Sequence, residues 1–137
     1  MKWIEIKNYA DIQNLNETYD YFEDSVIVCM EYVSGDYVDK ELFGYMGQTN
    51  DLKVTFQRLD NNPFSIELWF TNTKRINFTF VNPPDKCMSD ILYAKVCKSD
   101  KSIFWTTSEK FNPNDEEHLS ETTLIESSGL KWRIVEI

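Results

Sequence analysis

The spacing of apolar positions changes period once along this chain. Tyr9, Ile12, Leu15, Tyr19 and Phe22 recur at intervals of three and four, and Asn8 before them is a residue type that caps helix N-termini. Wound as a helix, these five residues form one stripe, with Glu17, Asp20 and Asp24 almost opposite it. The pattern predicts an amphipathic helix over 9–22, preceded by a short strand at Trp3-Ile4-Glu5-Ile6.

Beyond residue 24 the period is two. Ser25 to Val33 is a β-branched run that predicts a well-buried strand, with Cys29 in the core. Leu52, Val54 and Phe56 alternate with Lys53, Thr55 and Gln57, and Phe64, Ile66, Leu68 and Phe70 alternate with Ser65, Glu67, Trp69 and Thr71. Asn72-Thr73-Lys74 reads as a tight hairpin loop, after which Ile76, Phe78 and Phe80 point inward until Pro83-Pro84 ends the strand. Leu92, Ala94 and Val96 point inward on the next strand, Cys97 points out, and Ile103-Phe104-Trp105 returns. A last hairpin, 122–126 with 130–135, turns at Ser127-Ser128-Gly129. Residues 34–50, holding Gly35, Gly44 and Gly47, fit either an extended loop or a short irregular strand.

Short turns between successive strands make antiparallel neighbours, and no βαβ alternation occurs. The predicted fold is α+β: one N-terminal amphipathic helix packed on a curved, mainly antiparallel sheet or partly open barrel of about seven strands. A chain of 137 residues makes a single domain, 1–137, and 42% apolar with 15% aromatic residues excludes wholesale disorder. The longest apolar run, Val26 to Met30, is far short of the ~20 residues that span a bilayer. Charges interrupt the first residues as no signal peptide allows, so a cytoplasmic protein with reduced Cys29, Cys87 and Cys97 is expected, away from any membrane.

Charge narrows the partners. The formal net charge is −9, and residues 17–41 hold eight acids against Lys40 alone. The stretch 42–108 is mildly basic and 109–137 acidic again. Phosphate affinity needs clustered Lys and Arg, so nucleic-acid binding is disfavoured. An acidic block either keeps the protein soluble or docks a basic partner, whose encounter it accelerates.

Catalytic constellations are scarce. His118 is the only histidine, no C-x-x-C or H-E-x-x-H occurs, and no metal or cofactor is expected. Ser25, His118 and Asp24 make a hydrolytic set only if the fold gathers them, and no G-x-S-x-G elbow is present. Cys87, beside Lys86, is the expected accessible thiol. The glycines at 44 and 47 lack the lysine and strand-to-helix setting of a phosphate loop. Trp69 falls on the outer side of its strand, where it is either covered or left as a contact anchor.

Several fragments carry a resemblance. Phe22-Glu23-Asp24-Ser25, Leu52-x-Val54-x-Phe56-Gln57, Ile66-Glu67-Leu68-x-Phe70, Asp90-Ile91, Ile103-x-Trp105, Thr123-x-Ile125 and Leu130-x-Trp132-Arg133 resemble a group of small, uncharacterised bacterial β-rich proteins, itself similar to the immunity proteins of polymorphic toxin systems. That group carries His-Asp-Ser where this chain has Glu23-Asp24-Ser25, so the resemblance implies no metal or acid–base role there.

The leading expectation is a non-enzymatic binding protein, immunity-like, that covers a basic toxin or nuclease surface. Glu17, Asp20, Asp24, Asp36, Tyr37, Asp39, Glu41 and Tyr45 are its candidate partner-binding residues. The alternative is a small-ligand-binding barrel lined by Phe78, Phe80 and Trp105. A hydrolase using carboxylates or Cys87 ranks third.

Overall fold

In the computed structural model, residues 2–78, 90–115 and 123–136 are described. They form β1 (Ile4–Glu5), α1 (Tyr9–Thr18), a 3-10 turn (Asp20–Phe22), β2 (Ser25–Val33), β3 (Tyr37–Val38), β4 (Gly44–Tyr45), β5 (Asp51–Arg58), β6 (Ser65–Asn77), β7 (Lys95–Lys98), β8 (Ile103–Thr106) and β9 (Leu124–Val135).

Asn8 starts α1 as expected, its side-chain oxygen accepting from the N–H of Asp11 at 3.0 Å. The helix is shorter than its stripe. It stops at Thr18, and Asp20, Tyr21 and Phe22 then turn through φ of 48°, 52° and 61°. Left-handed backbone costs roughly 1–2 kcal/mol per non-glycine residue, so side chains must hold it. Arg58 does so: its side chain, 2% exposed, pairs with Asp20 at 2.9 Å and donates to the carbonyls of Thr18 and Pro63. The turn swings Phe22 into the core beside Tyr19, whereas Tyr9, expected in the stripe, is 71% exposed.

Every strand pairing in the main sheet is antiparallel, in the order β2-β5-β6-β9-β8-β7, with β1 lying against β9. This is the predicted α+β architecture, and the sheet does not close into a barrel. A single bridge, Ser25 to Ile91, joins the start of β2 to the segment leading into β7.

The two expected hairpin turns at 72–74 and 127–129 are not turns. They lie inside the long strands β6 and β9, opposite one another, with Thr71 facing Gly129 and Thr73 facing Ser127. A register shift between Thr73 and Arg75 marks a bulge there. Asn72 takes φ of 50°, and a Cβ at Gly129 would sit 2.5 Å from Thr71 Oγ1. Turn-type residues here serve a bulge and a close approach in paired strands.

Alternation holds where both neighbours are present: Leu52, Val54, Phe56, Ile66, Leu68 and Phe70 are all buried, whereas Phe64, expected inward, is half-buried and Ser65, expected outward, is buried with its hydroxyl donating to the Phe56 carbonyl. Trp105 is fully buried among the rings of Phe22, Phe56 and Phe78. Alternation fails at the margins. Ile76 is exposed beyond the bulge, and Leu92 is 82% exposed because β7 begins only at Lys95. Cys97 does turn away from the main core, into a small cluster of Phe104, Phe111 and Leu124, where burial pushes its thiol up to about 11. Phe80, Cys87 and His118 lie outside the described residues.

The largest correction concerns β2. Among the described residues β5 is the only strand it pairs with, so it is an edge strand, and from Val28 to Val33 every residue is exposed, Cys29 included. An apolar run with no alternation reads as a central strand. Its place at the edge is a matter of strand order, which no local pattern encodes.

Candidate binding surface

Beyond Val33 the chain leaves the sheet as an arm. Gly35, at φ +79°, and Gly47 pack backbone to backbone at its base, where a Cβ on Gly47 would meet Gly35 at 2.6 Å. The Asp36 carboxylate closes the base by accepting from the Gly47 N–H at 2.6 Å. β3 and β4 then pair as a separate two-stranded ribbon, Tyr37 opposite Tyr45, with the two rings stacked 4.7 Å apart. At the tip, Asp39 Oδ1 accepts from the N–H groups of Glu41 and Phe43, each at 3.0 Å. The Phe43 N–H, aided by the Tyr45 side chain and the Glu41 N–H, holds the Asp39 carboxyl below its ordinary range. Residues 34–50, read as a loop or an irregular strand, are this arm.

From Gly35 to Met46 only Asp39 is even half-buried. Val38, Leu42, Phe43 and Met46 are exposed beside the two tyrosines. On β2, Met30 and Tyr32 are exposed as well, opposite buried Val54 and Leu52 on the neighbouring strand. Contiguous exposed apolar groups on this scale mark contact surfaces.

The acidic residues divide into two sets. Asp36, Tyr37, Asp39, Glu41 and Tyr45 come together on the arm. Glu17, Asp20 and Asp24 lie at the other end of β2, about 26 Å away at the rise of a strand. Glu17 is exposed and accepts from Gln13 at 2.9 Å. Asp20 is 54% exposed but bound to Arg58 and to Asn61. Asp20, Glu23 and Asp24 line a shallow dent with Arg58, Leu59 and Asn61. Asp36, Asp39 and Asp20 therefore also hold local backbone or a guanidinium, while Asp24 and Glu41 have no side-chain partner among the described residues.

Other candidate chemistry disperses. Ser25 is fully buried and its hydroxyl donates to the Phe22 carbonyl at 2.6 Å. Among the described residues no three His, Cys, Asp or Glu side chains converge as metal ligands do. Trp69 does lie on the outer side, half-buried and covered by side chains: Lys131 and Lys53 ammonium groups stand 3.7 and 4.4 Å from its ring centre, and Trp3 meets it edge-on. Its indole N–H donates to Asp51 at 3.0 Å.

Pattern reading missed Val28, Met30, Tyr32 and Val33 as surface residues, and gave no role to Leu42, Phe43 and Met46. The available signal was large apolar residues inside a glycine-spaced segment, which a plain loop does not need. No protein-family model, curated protein or solved structure matches this chain.

Proposed function

We propose that this protein is a non-enzymatic binding module for a basic protein, immunity-like in covering a toxin or nuclease surface. The arm is the observation that supports this reading. Stacked Tyr37 and Tyr45, ringed by Asp36, Asp39 and Glu41 and by exposed Leu42, Phe43 and Met46, combine aromatic contact area with carboxylates. Folded arms with apolar tips stabilise little by themselves, whereas interface aromatics carry most of the energy of a complex. The second acidic set, around Glu17 and Asp24, contributes long-range attraction.

The test is co-expression with the products of the adjacent genes, the basic ones being the expected partners. Co-expression should give a complex, with an association rate that falls as salt rises, because screening shortens the field to ~8 Å at physiological ionic strength. Tyr37→Ala with Tyr45→Ala should speed dissociation, and Glu41→Lys should slow association. If neither variant alters binding, the arm is not the contact and the reading fails.

A further inference from the structure

Among the described residues the main path of the sheet ends at β2 and at β7, with the two-residue β1 beside β9. A helix covers the β7 edge, and the Asn16 amide, 5% exposed, both donates to the Val96 carbonyl and accepts from its N–H, each at 2.9 Å. That side chain stands in for a neighbouring strand. Past Ser25, β2 has no such partner among the described residues on its outer edge. It also lacks the usual protections of a bare edge, such as lysine, proline or brevity. Its bulge between Ile27 and Cys29 and the charge of Glu31 are the exceptions, and five of its nine residues are still apolar and exposed.

We infer that the outer edge of β2 accepts an extended strand from the basic partner, an apolar segment with Lys or Arg at both ends. This rests on the reading of the arm as a partner-binding surface and specifies how that partner docks. Length and charge define the guest. The free edge, Val26 to Val33, spans about 23 Å, with Glu23 and Asp24 beyond one end, Glu31 within, and Asp36 and Asp39 beyond the other. Main-chain hydrogen bonds would supply affinity, and the terminal cations would meet carboxylates at each end. A second copy of this chain fits badly. Parallel β2–β2 pairing sets each acidic end against itself, and antiparallel pairing sets Glu23 and Asp24 against Asp36.

The probe is a synthetic peptide of alternating Val and Thr with paired Lys at each end. It should bind, seen by fluorescence anisotropy, and slow hydrogen exchange at those amides of 28–33 that point away from β5. Methylating its strand-facing amide nitrogens should weaken binding about tenfold or more, since each methyl removes a main-chain hydrogen bond. Val28→Lys, an exposed change that leaves the fold intact by circular dichroism, should weaken it too. Lack of binding, or indifference to N-methylation, overturns the inference while leaving the arm reading to its own test. If Glu-ended peptides bind as well as Lys-ended ones, strand addition stands and the basic-partner reading falls. If sedimentation shows dimers whose 28–33 amides are already protected, the occupant is a second copy and the inference is overturned.

Discussion

The two edges of the sheet are finished in opposite ways. At β7, a buried asparagine amide and a helix close the strand, and Val96 is 2% exposed. At β2, a more apolar strand is exposed for six residues and, among the described residues, has no strand on its outer side past Ser25. Apolar content is therefore no guide to burial in this molecule. What decides it is whether the chain returns to cover that edge, and a chain that covers only one leaves the other for something else.

Removing the closure at β7 is the strongest way to break the contrast. Asn16→Leu keeps the branched outline but strands the Val96 N–H and carbonyl, so denaturant unfolding should show a loss of about 2–4 kcal/mol. Next in size is Arg58→Met, on β5 opposite the start of the bare edge. It leaves the Thr18 and Pro63 carbonyls unpartnered and frees the left-handed turn, and a loss of about 2–3 kcal/mol is expected by the same measurement. At the arm, Gly47→Ala should disturb the crossing with Gly35 by about 1–2 kcal/mol locally. Exchange of the Gly47 amide should quicken while the melting temperature of the sheet holds.

On the bare edge itself, Val28→Lys and Tyr32→Lys should change stability by no more than about 0.5 kcal/mol while raising the solubility limit. The smallest effect is on pH. The Asp39 pKa is lowered on folding from 3.8, so its contribution to arm order is complete above that value and is lost as pH falls toward the lower folded pKa. Exchange protection of the Glu41 and Phe43 amides, corrected for intrinsic rate, should fade over that acid range and stay level above it.

Legibility followed the range of the interactions. The Asn8 cap, the alternation of β5 and the first half of β6 are decided by neighbours in sequence and were predicted correctly. The turns at 72–74 and 127–129 were misread because Asn, Lys, Ser and Gly suit a bulge as well as a hairpin. Only the opposite strand distinguishes the two, and it lies more than fifty residues away in sequence. The acidic block was legible as charge, yet its division into two sets depends on β2 being extended between them.

By itself the sequence determined the α+β class, the antiparallel sheet, one helix near the N-terminus and the sign of the charge. These follow from periodicity and composition, which are local or global sums. Strand order, the exposure of Val28 to Val33, the coverage of Trp69 by lysines and the projection of the Tyr37–Tyr45 arm were decided only by the tertiary structure. The physical reason is that burial belongs to the pair of surfaces that meet. A strand carries half of that information, and the rest is held by whichever element arrives to lie beside it.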